Sequence, residues 1–211
     1  MGMGGRNNHG QLGDGTTENR NQPVRIMDDV TFVSAGDNHT MIIRTDGSLW
    51  GFGAGWLGDG IMTSPGRTDP IWIMDDVRFV SAAVNHTMAI RTDGSLYVWR
   101  HNGQRQLGTL AAEDRESPNF IMENMVRVST GDAHTLAVGI NGALDVWGNN
   151  AFGQLGIGTN LPQISPWIVL QQVADASTGG FHSLILLRDG TLFATGSNIN
   201  GQLGIGSQTD S

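Results

Sequence analysis

Short runs of β-branched and aromatic residues alternate with polar ones along this chain, and glycine, asparagine and aspartate break them up. Thr31-Phe32-Val33-Ser34-Ala35 is one such run, followed by His39-Thr40-Met41-Ile42-Ile43-Arg44 and Ser48-Leu49-Trp50-Gly51-Phe52-Gly53. Residues of this kind with a period of two predict strands. Asp46-Gly47, between the second and third runs, predicts a hairpin, because glycine accepts the positive φ of a tight turn. A proline-led run, Pro23 to Met27, comes first; proline is tolerated where a strand opens. No segment has apolar residues at a 3.6-residue period, so helix is expected to be nearly absent.

The same order then recurs. Asp69-Pro70-Ile71-Trp72-Ile73-Met74 leads to Arg78-Phe79-Val80-Ser81, His86-Thr87-Met88-Ala89-Ile90 and Ser95-Leu96-Tyr97-Val98-Trp99, and two more passes follow. The histidines fall at 39, 86, 134 and 182 and the hairpin glycines at 47, 94, 142 and 190, so both series step by 47, 48 and 48. A Leu-Gly phrase, fullest as Gly153-Gln154-Leu155-Gly156, returns at 12, 57, 107, 155 and 203. Periods of this length mark solenoids or propellers. Four short antiparallel strands per period make the blade of a β-propeller. The predicted fold is all-β: one repeat domain over 1–211, with approximate repeats 5–53, 54–101, 102–149 and 150–198, and a further repeat starting at 199–211.

Composition narrows the chemistry. The 31 glycines sit at fixed offsets, as many tight turns require, and there is no cysteine. Disulfides, thiolate metal sites and cysteine nucleophiles are therefore excluded. All 12 basic residues are arginine, which removes the Walker lysine and lysine nucleophiles. The net charge of −8 disfavours a phosphate backbone as partner, so no nucleic-acid binding is expected. No apolar run is long enough to span a bilayer. No charged-then-apolar leader opens the sequence, so a soluble protein is expected, cytoplasmic or secreted with its signal removed.

The motif Val-x-x-Val-x-x-Gly-x-x-His-(Thr/Ser), then Asp-Gly, then Trp-Gly-x-Asn-x-x-Gly-Gln-Leu-Gly resembles the regulator of chromosome condensation repeat, in four copies over essentially the whole chain. The resemblance implies propeller blades, typically seven to a ring. Its functional range is wide: guanine-nucleotide exchange on the small GTPase Ran, chromatin binding, β-lactamase inhibition, scaffolding in ligases, and ultraviolet sensing in plants. The last needs tryptophans beside the Gly-x-x-His turns, where this chain has Asp37-Asn38, Val84-Asn85, Asp132-Ala133 and Phe181. Two places depart from the pattern and are expected to be locally distorted. The first linker, Gly53 to Gly58, is shortened and has Trp56 in place of glutamine; the second repeat reads Trp99-Arg100-His101 and Gly108-Thr109-Leu110. Four repeats also imply an incomplete ring. Pro23–Met27 lacks a preceding partner in its own blade and the final blade lacks such a strand, so self-association into a dimer or larger ring, or a longer propeller, is expected.

No nucleophile–base pair or ligand cluster emerges, so neither a cofactor nor an enzymatic activity is expected. The four histidines read as repeated packing or hydrogen-bonding residues rather than a metal ring, since one residue per blade rarely converges on one ion. Gly53-Ala54-Gly55-Trp56-Leu57-Gly58 matches G-x-G-x-x-G without the βαβ context that gives that motif its meaning. Phe52, Trp99 and Trp147 form one column, with Trp50 and Tyr97 in a second, and both read as interblade core. What remains are candidate contacts for a protein partner: the acidic turns Asp28-Asp29 and Asp75-Asp76, and Trp56, Trp72 and Trp167 outside the regular columns. The function that fits is a non-catalytic interaction module or scaffold acting through rim loops. The alternative is an exchange factor for a Ran-like GTPase.

Overall fold

The computed structural model describes residues 2–211. Strands β1 (Gly2–Gly5) and β2 (Arg20–Arg25) form an antiparallel pair. The first blade holds β3 (Val30–Ala35), β4 (His39–Arg44), β5 (Leu49–Trp56) and β6 (Met62–Met74). The second holds β7 (Val77–Ala82), β8 (His86–Arg91), β9 (Leu96–Arg100) and β10 (Arg115–Met122). The third holds β11 (Met125–Thr130), β12 (His134–Gly139), β13 (Leu144–Gly148) and β14 (Gln163–Leu170). The fourth has three strands, β15 (Val173–Thr178), β16 (His182–Leu187) and β17 (Leu192–Gly196). No helix occurs among the described residues, and the sheets form an open run of propeller blades rather than a closed ring.

One expectation is corrected. The proline-led strand β2 does have a partner: Arg20 to Arg25 pair with Gly5 to Gly2. The shortened first linker departs from the repeat as expected, with register shifts at Gly51/Gly53 and Gly53/Gly55. There β5 and β6 run on as a hairpin, pairing Gly55 with Thr63 and Trp56 with Met62.

Local chemistry sets the blade. At each β-hairpin an acidic or amide side chain caps its own turn. Asp46 Oδ1 accepts from Ser48 N at 3.0 Å, and Asp93, Asn141 and Asp189 do the same for Ser95, Ala143 and Thr191. Because strands alternate in direction, these hairpins share one face of the propeller with the turns at Asp28-Asp29 and Asp75-Asp76. The opposite face carries the Gly-x-x-His turns and the long loops. In those loops a buried asparagine organises the backbone. Asn150 Oδ1 accepts from Leu155 N at 2.9 Å, while its Nδ2 donates to the carbonyls of Thr159 and Leu161 at 2.6 and 3.0 Å. Asn102 and Asn198 hold Leu107 and Leu203 in the same way.

The core lies between the blades. Met41, Leu49 and Ile73 of the first pack against Val77, Val80, Ala89 and Trp99 of the second. Met88, Leu96 and Val98 meet Met125, Val128 and Trp147 of the third, and Leu136, Leu144 and Val146 meet Val173 and Ile185 of the fourth. Trp99 and Trp147 are fully buried, and their indoles donate to the carbonyls of Leu57 and Gln106, each at 2.9 Å. A buried tryptophan needs such a partner for its one polar atom.

A polar ladder crosses each seam. His39 Nε2 lies 2.8 Å from Thr87 Oγ1, His86 Nε2 3.0 Å from Thr135 Oγ1, and His134 Nε2 3.0 Å from Ser183 Oγ. The hydroxyls of Thr135 and Ser183 already donate to the carbonyls of Gln106 and Gln154. They therefore accept from the histidines, which fixes the proton on Nε2 and leaves Nδ1 a bare lone pair. The Nδ1 atoms of His39, His86 and His134 indeed have no partner, as a neutral, desolvated imidazole permits.

Burial, reinforced by nearby Arg100 and His86, holds the His39 imidazole well below its usual range. Burial, with His134 and Arg100 adding, brings His86 to about 3, and burial chiefly brings His134 to about 4. An unfolded histidine titrates near 6.5, so below that pH the unfolded chain takes up protons that the folded chain refuses. Stability is complete above about 6.5 and is lost as pH falls toward the folded values, by up to about 1.4 kcal/mol per pH unit per histidine. Urea unfolding at successively lower pH is expected to show the midpoint falling between 6.5 and 4, with a shallower fall in His86→Gln. Asn150→Ala strands the Leu155 amide and two carbonyls, and is expected to cost about 2–4 kcal/mol in the same measurement.

Candidate functional site

The outer wall carries a row of exposed apolar side chains. Each outer strand places one two residues after its proline: Trp72 after Pro70, Phe120 after Pro118 and Ile168 after Pro166. Alternation turns these side chains away from the core-facing Ile73, Ile121 and Val169. Trp72 is 52% exposed and Trp167, beside Ile168, is 57% exposed. Trp72 stands in register with Trp50, and Phe120 contacts Tyr97 edge-on at 5.9 Å between ring centroids. Phe120 and Ile168 did not stand out in the sequence, although their constant offset from proline marks them. The wall also exposes the outermost edge of each sheet, where proline blunts pairing with another strand.

The acidic turns meet the wall at the hairpin face. Asp29 and Asp76 hold equivalent positions at φ of 56° and 60°. They receive Arg44 at 3.5 Å and Arg91 at 2.6 Å, the last residues of β4 and β8. Asp28 is ion-paired with Arg25, whose hydrogen bond and charge hold the carboxyl below its ordinary value. Asp75 differs: it accepts the Trp72 indole N–H at 2.9 Å. The structure thus joins Trp72 and Asp75 into one feature, while cations partly offset the other three carboxylates. Trp167 lies two blades further along the wall and Trp56 on the opposite, loop face, so the seven candidate residues do not form a single patch.

Of the aromatic columns, Phe52, Trp99 and Trp147 are fully buried, and Trp50 and Tyr97 are half-buried. Asp145, at the position equivalent to Trp50 and Tyr97, is buried opposite Ile168, and that burial raises its carboxyl pKa. Among the described residues no group of three or more histidine, aspartate or glutamate side chains is placed to hold a metal ion.

Trp56, at the end of β5, packs edge-on against His101 with ring centroids 5.4 Å apart. His101 in turn meets Asp114 at 3.0 Å. Beside them Arg100 is 5% exposed with φ of 86°, where the other blades place Gly53, Gly148 and Gly196. Its Nη2 reaches the Ala54 carbonyl at 3.3 Å, while Nε and Nη1 have no partner. Arginine in place of the turn glycine was visible in the sequence, but its burial was not.

Models of the regulator of chromosome condensation (RCC1) repeat match residues 3–43 and 141–186, and a second such model matches 125–154 and 173–202. Together they take in more than half of the chain. No curated protein matches it by sequence. Among solved structures, human WBSCR16 superposes with a TM-score of 0.85 at 25% identity, over 97% of this chain and 59% of that one. Yeast RCC1 (Prp20) bound to Kap60 gives 0.84 at 19%, over 95% of this chain and 52% of that one. Prp20p from Saccharomyces cerevisiae, described with its binding properties to Gsp1p and histones, gives 0.82 at 17%, over 94% and 53%. The chain spans between half and three fifths of the length of these structures. The repeat matches and the blade architecture together make this chain a member of the regulator of chromosome condensation repeat family.

Proposed function

We propose that the chain is a non-catalytic protein-interaction module that engages a protein partner through its outer wall and hairpin-face turns. The observation that carries this is the row of exposed apolar side chains on three successive outer strands, Trp72, Phe120 and Ile168, with Trp167 exposed on the other side of the third strand. Aromatic side chains half open to solvent, edged by polar turns, suit a protein contact. Trp72 with Asp75 offers an apolar face and a carboxylate in one place, suited to a partner with a basic residue beside an apolar one. Asp28, Asp29 and Asp76 extend that acidic rim at lower strength, because each already holds an arginine. Trp56 belongs to a separate contact on the loop face.

Self-association belongs to the same reading. Leu192 is 63% exposed and Leu186 is also exposed on the fourth blade, whereas their counterparts Leu144 and Val138 on the third are buried against a neighbour. A second copy stacked on this face would cover them, as a dimer or as part of a larger ring.

The competing reading is nucleotide exchange on a Ran-like GTPase, which the repeat family also includes. The test pairs a nucleotide-release assay on such a GTPase with affinity capture, comparing the unaltered protein with Trp72→Ala/Asp75→Asn and Trp167→Ala. The expected outcome is a captured protein whose yield falls at least tenfold in the variants while their melting temperatures stay within a few degrees, and no acceleration of release. Accelerated release would replace the scaffold reading with exchange, and capture unaffected by both variants would remove the outer wall from it.

A further inference from the structure

At one position in successive loops a half-buried arginine is balanced by a carboxylate, except in the second blade. Arg20, opposite Gly5 in the β1–β2 pair, donates from Nε to Asp14 Oδ2 at 2.7 Å. Arg67, opposite Gly53 in the first blade, is paired with Asp59. In both loops the aspartate directly follows the Leu-Gly step. The third blade has neither partner, with Ile157 after its Leu-Gly and Gln163 opposite Gly148. The second blade keeps the arginine, Arg115, but has Thr109 where the aspartate belongs.

The positions are equivalent in detail. Thr109 Oγ1 accepts from Asn102 Nδ2 at 2.8 Å, as Asp14 Oδ1 accepts from Asn7 Nδ2 at 3.0 Å. Threonine thus preserves the loop and leaves out the charge. Arg115 has no ion pair among the described residues; its buried Nε, like that of Arg67, has no partner, but Arg67 has Asp59 at its Nη2 and Arg115 has no such carboxylate. Its cross-strand partner is Arg100, itself buried with Nε and Nη1 unpaired. Asp114, the residue before Arg115, is already engaged by His101 Nδ1 at 3.0 Å and by Asn102 N at 2.8 Å.

We propose that Arg115 and Arg100 form a receptor for a carboxylate side chain of an acidic peptide segment in a protein partner, entering at the loop face between the first and second blades. The two arginines in equivalent positions each take an aspartate, so the site is shaped for a carboxylate, and the planar guanidinium fork matches one. Exposed Ile61 and Met62 at the tip of the first-blade hairpin, exposed Leu110, and Trp56 against His101 supply apolar contacts around it. A peptide alternating acidic and apolar residues satisfies both. The chain's net charge of −8 opposes such a ligand at long range. That repulsion is screened beyond about 8 Å at physiological salt, leaving the local pair to decide.

The inference rests on the reading of the chain as a protein-interaction module, but concerns a different surface from the outer wall. The probe is a labelled, amidated peptide of alternating glutamate and leucine, with the glutamine–leucine peptide and inorganic phosphate as comparisons. Fluorescence anisotropy is expected to show the acidic peptide binding at least tenfold more tightly than its amide counterpart. Thr109→Asp, which supplies the missing carboxylate from within, is expected to raise the melting temperature by several degrees and weaken peptide binding at least tenfold. Arg115→Gln and Arg100→Gly should weaken it similarly, Arg100→Gly with a rise in melting temperature from relief of its positive φ. Trp72→Ala should leave this binding unchanged, which separates failure of this site from failure of the outer wall. Equal binding of the two peptides, binding unmoved by Thr109→Asp, or tight phosphate binding without peptide binding would each overturn the proposal.

Discussion

The seam between neighbouring blades is the constraint on which everything else depends. A four-stranded sheet of this size has two faces to cover and no helix to cover them, so each blade buries apolar residues against the next one. The burial is of the order of 25 cal/mol per Å² of apolar surface, and Trp99 and Trp147 contribute the largest single parts of it. Dry seams would still be free to slide. The His–Thr and His–Ser ladder removes that freedom, because each buried imidazole has one donor and one place on the adjacent blade to use it. Three hydrogen bonds of the same kind therefore fix blade spacing and register, and do so with neutral groups, which cost less to bury than charges.

The loops carry the same logic outward. Gln106 and Gln154 offer their carbonyls to the next blade's Thr135 and Ser183, whose hydroxyls receive the histidines. The asparagine-organised loop is thus one end of a relay that runs through the seam. The loop face is consequently stiff where the motif is complete. In the first blade the asparagine is missing, and an extended hairpin ending in Ile61 and Met62 stands in its place. The fold tolerates this because Leu57 still reaches the core and still accepts the Trp99 indole.

The parts of this architecture that follow local rules were legible in the residues. Asp46, Asp93 and Asp189 cap hairpins because the Asp-x-Ser/Thr turn is self-contained, and the histidine spacing showed a repeated structural role. Other features depend on what the register sets opposite a residue, and no local rule reveals that. The pairing of β2 with β1 is one example, since glycine-rich Gly2–Gly5 has no strand signal of its own. The indole of Trp72 on Asp75 is another, and so is the burial of Arg100 beside Arg115. The acidic pairs read as a stripe of charge; the structure places Arg25, Arg44 and Arg91 among them, Arg25 from three residues before Asp28 and the other two from strands whose ends meet the turns only after folding. Phe120 and Ile168 went unnoticed because each, taken singly, is an ordinary strand residue.

Repetition and departure carry different meanings in such a chain. Residues that recur in each period answer the shared demand of the seam, so they say little about any one partner. Departures answer something else. Arg100 gives up the glycine that the backbone at φ of 86° favours, a conformation that costs a non-glycine residue about 1–3 kcal/mol. It also buries a guanidinium without a carboxylate, which costs several kcal/mol more. Against a net stability of about 5–15 kcal/mol for a domain, those are large concessions in one blade out of four. Trp56, Arg100, His101 and Thr109 all leave the repeat at the same junction. Independent drift would scatter such changes around the propeller. Their convergence on the loop face between the first two blades is what a locally specialised surface looks like when it is built on a repeated scaffold.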